Sequence, residues 1–191
     1  MLKYVAFIAF CVFALLSACE PNGSESMEPV TKSTPNIPSS GGQSTVSDDV
    51  TDLDSNAILA LAEVNNWRQN GCTCGDVSVP ATTKVSWNSK LYQAALAHAK
   101  DMRVNNYFSH TSPTGENVYN RLVQSGYIGD SRSVLTYGEN IAFGDFDLEA
   151  AVRKWLDSPS HCTNLMRESY REMAIAHDGN YWVQVFGAVR D

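Results

Sequence analysis

Large apolar side chains divide the chain into three parts, and this division most constrains what can fold. Residues 4–16 are almost unbroken hydrocarbon, whereas residues 20–55 are mainly Ser, Thr, Pro, Gly, Asn and Asp. A segment of that second kind cannot bury enough surface to offset its ordering entropy. We therefore predict an export signal over residues 1–18, a disordered tether over residues 19–55 and one folded domain over residues 56–191. A short ordered arm is the alternative to the tether.

The first segment has the features of an export signal. Lys3 precedes the apolar run, as in secretory signals. Residues 16–19, Leu-Ser-Ala-Cys, resemble the lipobox of bacterial lipoproteins, which implies cleavage after Ala18 and a membrane anchor of acyl chains on Cys19. Glu20 is not the aspartate of inner-membrane retention, which favours the outer membrane. The lipid anchor predicts a location in the bacterial cell envelope. An ordinary secretory signal and an uncleaved anchor helix are the alternatives, and all three place the domain outside the cytoplasm.

Charge and motifs exclude several functions. The chain has 14 Lys and Arg against 21 Asp and Glu, so its net charge is negative. Nucleic-acid binding requires a basic surface, and nucleic acid is therefore excluded as a partner. The sequence contains no HExxH, GxSxG, P-loop or GxGxxG motif. The commonest signatures of zinc proteases, serine hydrolases and nucleotide-binding proteins are therefore missing.

Periodicity near 3.6 residues predicts four helices. The strongest follows Asn88 as N-cap, with a stripe of mostly apolar residues at positions 91, 94, 95, 98, 99 and 102. The others are predicted from Ser55 as N-cap to Asn70, from near Gly115 to Gly126, and from Asp147 as N-cap to a point before Pro159.

The C-terminal part changes period. Asp178-Gly179 between apolar runs predicts a β-hairpin, and residues 79–87, rich in β-branched side chains, predict a further strand. Helices before and between the strands predict an α/β sandwich, with an antiparallel sheet covered by helices on its faces.

Three cysteines remain in the domain, because Cys11 leaves with the signal and Cys19 is lipidated. Cys72 and Cys74 are too close in sequence to pair comfortably with each other, so we predict one disulfide from Cys72 or Cys74 to Cys162. A zinc site of three thiolates is the competing interpretation, which export to an oxidising compartment disfavours.

Four phrases carry a family resemblance: residues 106–110 (NYFSH), 137–142 (YGENIA), 155–166 (WLDSPSHCTNLM) and 181–187 (YWVQVFG). In this order they resemble the signature blocks of bacterial SCP-like extracellular proteins of the CAP superfamily, over about residues 57–189. The resemblance implies a three-layer α-β-α sandwich with a cleft where two His and two Glu can bind a divalent metal.

The resemblance implies His110, Glu139 and His161 as ligands, with Ser158 and Pro159 where the second Glu would fall. Two imidazoles and one carboxylate would leave a position open on a zinc ion for water. Without metal, His110 and Glu139 could act as an acid and base pair. Substitutes for the second Glu are Glu149, Asp157 and Glu172.

Each histidine also has a structural interpretation. His110 could bond backbone groups, Glu139 could hold its loop by accepting from N–H groups, and His161 could cap a turn. His98 lies on an apolar stripe and is predicted to be a core histidine whose polar atoms are satisfied. His177 is predicted to be a hairpin-end residue.

These observations support three functions. The favoured one is a membrane-anchored, non-enzymatic module whose cleft binds a metal and a small lipid or peptide ligand. The alternatives are a metal-assisted hydrolase or peptidase, and an interaction protein with a vestigial cleft.

Overall fold

The computed structural model describes residues 53–129 and 133–190. The predicted signal, Cys19 and nearly all of the predicted tether lie outside these ranges. None of the helices within them is both long and apolar enough to cross a membrane. The elements are α1 (Ser55–Asn70), β1 (Cys72–Cys74), β2 (Val77–Val79), β3 (Ser86–Trp87), α2 (Ser89–Val104), α3 (Val118–Gln124), β4 (Ser133–Phe143), α4 (Leu148–Leu156), α5 (Pro159–Leu165), β5 (Glu172–Asp178) and β6 (Tyr181–Arg190).

The main sheet has the strand order β3-β5-β6-β4. The pairs β4–β6 and β5–β6 are antiparallel, as predicted, and the short β3 pairs parallel with β5. The predicted hairpin is present, with β5 ending at Asp178 and β6 beginning at Tyr181. Strands β1 and β2 form a separate two-stranded sheet. The order leaves β4 at one edge of the main sheet.

Apolar side chains pack on both faces of this sheet. Along β6, Trp182 and Phe186 join the core that contains α1, α4 and α5, and Val183 and Val185 join the core beneath α2 and α3. Successive strand residues point to opposite faces, so the two cores lie on opposite sides. This confirms the predicted α-β-α sandwich.

Helix α2 matches its prediction. All six residues of its stripe are buried, and the Asn88 side chain accepts from the backbone N–H groups of Lys90 and Leu91. The predicted cap of α1 was wrong: Asp54, rather than Ser55, accepts from Ala57 N–H at 2.8 Å.

Two other boundaries differ from the predictions. Helix α3 begins after Asn117, because Gly115 has φ +88°, which no right-handed helix allows. Of the predicted strand 79–87, the structure keeps only Val79, the last residue of β2, and the two-residue strand β3. The backbone between β2 and β3 is held by side chains of α1 instead. Asn65 donates to the Val85 carbonyl and accepts from the Val85 N–H, and Arg68 donates to the Thr83 carbonyl.

Strand β4 and helix α5 were not predicted. Gly138 interrupts the sequence pattern of β4, because glycine is depleted in strands. The position requires glycine, since a Cβ there would lie 2.0 Å from the Tyr170 hydroxyl oxygen. Helix α5 has seven residues and starts at Pro159, too short for its period to be recognised. Glu139 therefore lies on a strand and not in a loop.

Candidate functional site

A buried carboxylate at the edge strand is the centre of the site. Glu139 on β4 accepts from His110 Nδ1 at 2.8 Å and from Arg121 Nη2 at 3.0 and 3.3 Å. The Glu139 and Arg121 side chains are 3% and 4% exposed, whereas that of His110 is 53% exposed. Arg121 thus compensates the buried charge, and His110 presents the pair to solvent.

Arg121 also fixes the loop that carries His110. Its Nη2 donates to the His110 carbonyl at 2.9 Å, and its Nη1 donates to that of Glu116 at 3.2 Å. Arg121 was not predicted as a site residue from the sequence. A signal was available, because Arg121 falls between Val118 and Leu122 on the apolar stripe of α3, where a charged side chain must find a partner.

His98 is a core histidine, as predicted, and it lies behind the carboxylate. The prediction that its polar atoms are satisfied was wrong: the residue is fully buried, and its Nε2, 3.7 Å from Glu139 Oε1, makes no hydrogen bond within the described part of the chain. Burial lowers the pKa of His98 to about 4, with Glu139 opposing the shift, so the ring is neutral near pH 7. His177 is exposed near the hairpin turn, stacked on Trp182.

His161 enters the site from α5. Its side chain is half-buried, and burial, followed by the charge of His110, lowers the pKa of His161. The two imidazoles are therefore close enough to influence each other electrostatically. The His161 carbonyl accepts from Asn140 at 3.2 Å, which ties α5 to β4.

A chain of amides connects α5 to the sheet. Asn140 donates to Gln184 Oε1 at 2.9 Å, and Asn164 donates to Asn140 Oδ1 at 2.9 Å and to the Glu139 carbonyl at 3.2 Å. The Tyr170 hydroxyl completes it by donating to Asn164 Oδ1 at 2.6 Å. All three amide residues lie within the family-like phrases, so the phrases encode this support as well as the candidate ligands.

The suggested substitutes for the second Glu have other surroundings. Glu172 accepts from Asn88 at 2.8 Å and from Tyr127 at 2.7 Å. Glu149 pairs with Arg153 on the exposed face of α4. Asp157 is an exposed residue at the end of α4.

The three cysteines of the domain form a more compact set of potential metal ligands than His110, Glu139 and His161 do. Over the two described ranges, a group of three His, Cys, Asp or Glu ligand atoms within 4.8 Å of one another occurs at Cys72, Cys74 and Cys162. Cys74 and Cys162 form a disulfide, which is one of the two predicted pairings. His110, Glu139 and His161 do not approach that closely.

Exposed aromatic residues flank the site along β4. Tyr137 and Phe143 lie on the same face of the strand as Glu139, two residues before it and four after it. Each faces a second ring at 6.2 Å between centroids, Tyr119 for Tyr137 and Phe108 for Phe143. All four side chains are exposed.

A four-stranded sheet between two helical layers, with a histidine and a buried glutamate at its edge strand, agrees with the architecture of the CAP class. The model of the family described as the cysteine-rich secretory protein family, CAP, matches residues 61–186. The chain belongs to this family.

Its relatives include larger proteins. The membrane protein YlbC of Bacillus subtilis is 34% identical over 54% of this chain and 28% of its own length. An SCP-domain extracellular protein from Bacillus anthracis is 29% identical, with a TM-score of 0.58 over 69% of this chain and 40% of that one. The chain thus spans less than half the length of either protein.

A third protein is similar in fold over most of its own length. An outer surface protein from Borrelia burgdorferi aligns over 70% of this chain and 91% of its own, with a TM-score of 0.54 and 21% identity. At this identity the likeness concerns the fold alone.

Proposed function

We propose that this chain is a membrane-anchored, extracytoplasmic binding module that holds a small lipid or peptide ligand, and a divalent metal, without turnover. The observation that carries the proposal is the layout of β4. The compensated Glu139 carboxylate supports the exposed His110 ring, and exposed aromatic pairs lie on both sides. A ligand with a polar group and an apolar part matches this layout.

The location rests on the N-terminal segment and on the relatives. The lipobox-like residues before Cys19 imply an acyl anchor, and the structurally similar SCP-domain protein from Bacillus anthracis is an extracellular protein. Fractionation of cells that express the full chain tests this. We expect the protein in the outer-membrane fraction, with an acylated N-terminal peptide by mass spectrometry, and loss of both in Cys19→Ser. A non-acylated protein in the soluble fraction would contradict the anchor.

For a metal, the donors that fit are the imidazoles. Glu139 uses both oxygens on Arg121 and His110, so it acts behind His110, orienting the ring whose other nitrogen, Nε2, would be the ligand. His161 supplies a second imidazole. Two protein ligands are fewer than the three of catalytic zinc sites, so we expect weak binding.

Calorimetric titration of the full chain with Zn²⁺ tests the metal site. We expect saturable binding that is lost in His110→Ala and weakened in His161→Ala. His177→Ala is the matched control, because His177 is an exposed histidine on β5, and it should bind as wild type does. Equal loss in the control, or retention in His110→Ala, would argue against the site.

Solvent extraction of the purified protein, followed by mass spectrometry, tests the ligand. We expect a lipid or peptide that is depleted in Phe143→Ala. Leu59→Ala, which removes a comparably exposed apolar side chain on α1, should leave the extract unchanged. An empty wild-type extract would favour an interaction module with a vestigial cleft.

A hydrolase is the second candidate. The 2.8 Å bond between His110 and Glu139 has the geometry of an oriented general base. Turnover of a peptide library by the wild-type protein, abolished in His110→Ala, would establish this alternative. Turnover unchanged by that substitution would assign the activity to something other than this site.

A further inference from the structure

Three arginines, which we call the arginine cluster, meet where the loop between α5 and β5 packs on the end of α1. Arg68 on α1 is fully buried, and its Nη1 donates to the carbonyl of Arg167 in the loop at 3.0 Å. Arg68 Nε donates to the Thr83 carbonyl at 2.8 Å, and Arg171 Nη1 donates to the Thr83 hydroxyl at 3.3 Å. Shared partners thus bring the three residues together.

The positive charge of the arginine cluster is not compensated. Among the ion pairs formed within residues 53–129 and 133–190, none includes Arg68, Arg167 or Arg171. The whole chain has a net charge of −7, so a group of cations without an acidic partner stands out against its composition. Burial, followed by the charge of Arg171, lowers the pKa of Arg68 to about 10. The like charges of these two side chains therefore repel each other.

One nitrogen of Arg68 also lacks a hydrogen bond. Its Nε and Nη1 donate to the carbonyls of Thr83, Leu165 and Arg167, but its Nη2 is buried and has no partner in the described part of the chain. A buried donor without an acceptor costs free energy, and an ordered water or a bound ion commonly satisfies such a group. Arg68 therefore contributes both an unpaired charge and an unpaired donor.

An open surface cavity of about 460 Å³ lies at the same loop, lined by Arg167, Glu168, Ser169 and Arg171. Arg171 is fixed beside it, because its Nη1 donates to the carbonyls of Glu168 and Tyr170 at 2.6 and 2.9 Å. Within the described ranges, no hydrogen bond uses Arg171 Nε or Nη2. These two nitrogens form one edge of the guanidinium, so an oriented fork of donors is available to a ligand.

We propose that this cavity binds a phosphate group, held by the free edge of Arg171 and by Arg167, with the buried charge of Arg68 behind them. A guanidinium edge matches two oxygens of a phosphate, and the hydroxyl of Ser169 is a further donor on the cavity wall. The anion compensates the charge of the arginine cluster. Glu168 on the same wall opposes it and keeps the affinity modest. The site is separate from the candidate cleft and does not depend on the proposed function.

Calorimetric titration of the full chain with inorganic phosphate, at an ionic strength held constant with chloride, tests the site. We expect saturable binding, with the Kd raised about tenfold in Arg171→Gln and about threefold in Arg167→Gln through loss of charge-assisted hydrogen bonds. Arg103→Gln is the matched control, because Arg103 is an exposed arginine that pairs with Asp178, and it should bind as wild type does. No saturable binding by the wild type, an unchanged Kd in both loop variants, or an equal loss in the control would overturn the proposal.

Two further measurements sharpen the result. Glu168→Gln removes the opposing carboxylate and should bind phosphate more tightly, so weaker binding in this variant would also overturn the proposal. The test holds even where Arg171→Gln does not fold, because the Arg167 side chain makes no hydrogen bond in the described part of the chain and only lies over the Tyr170 ring.

A parallel titration with glycerol 3-phosphate distinguishes the sources of the phosphate group. Tighter binding than that of inorganic phosphate would identify a phosphomonoester, such as a lipid headgroup, as the occupant. Equal or weaker binding would identify free phosphate, and both results require the same arginines.

Discussion

Arg121 and Glu139 form an ion pair in which both side chains are almost completely buried, 4% and 3% exposed. One guanidinium nitrogen reaches both carboxylate oxygens, at 3.0 and 3.3 Å. The Arg121 guanidinium compensates the negative charge of Glu139, which a metal ion bound at Glu139 would otherwise do. It shifts the expected role of Glu139 from ligand to support for His110.

Replacing one partner of this pair should lower the free energy of unfolding more than expected from the replacement of both partners. Arg121→Gln leaves Glu139 as an uncompensated buried charge, so we expect a loss of about 3 kcal/mol in the free energy of unfolding. The double variant Arg121→Gln, Glu139→Gln should lose less than the sum of the two single variants. Urea denaturation measures all four proteins, and strictly additive losses would contradict the coupling.

His98 should make stability fall in mild acid. Its pKa is 6.5 in the unfolded reference and about 4 in the folded protein, so the unfolded state binds the proton preferentially between these values. The stabilisation is complete above pH 6.5 and is lost as pH falls toward 4, by about 3 kcal/mol at most. His161, with its pKa lowered as well, contributes in the same direction.

Denaturation of metal-free protein from pH 8 to 4, in parallel for wild type and His98→Gln, measures this effect. The variant should show a shallower loss of stability below pH 6.5. A matching slope for the two proteins would mean that other groups dominate the acid response.

Gly138 should accept no side chain. A Cβ at this position would lie 2.0 Å from the Tyr170 hydroxyl oxygen and 2.8 Å from Asn164 Oδ1. We expect Gly138→Ala to lower the free energy of unfolding by about 2 kcal/mol or more. Gly129→Ala is the control, since no atom of the described residues lies within 4 Å of its Cβ position. Thermal or urea unfolding that ranks the two substitutions equally would contradict the packing described here.

The N-cap of α1 can be assigned by two substitutions. Asp54→Ala removes the acceptor of the Ala57 N–H and should cost about 1 kcal/mol. Ser55→Ala, one residue later, should change the free energy of unfolding by much less. The reverse order, measured by urea denaturation, would favour the cap predicted from the sequence.

Local pattern was sufficient for elements whose signals lie within one segment. The stripe of α2, its Asn88 cap and the turn at Asp178-Gly179 were all predicted because period, cap and turn chemistry depend on neighbouring residues. Helix α5 and strand β4 escaped prediction because a seven-residue helix and a strand containing Gly138 lack such a signal.

The sequence by itself determined the sandwich class, the family and a three-cysteine set with two open pairings. Only the tertiary structure decided that Cys74 bonds Cys162 with Cys72 beside them, and that Arg121 meets Glu139. The physical reason is that these contacts join residues on different elements. Partner choice there depends on which side chains the packed layers bring within a few ångströms, and no local pattern contains that distance.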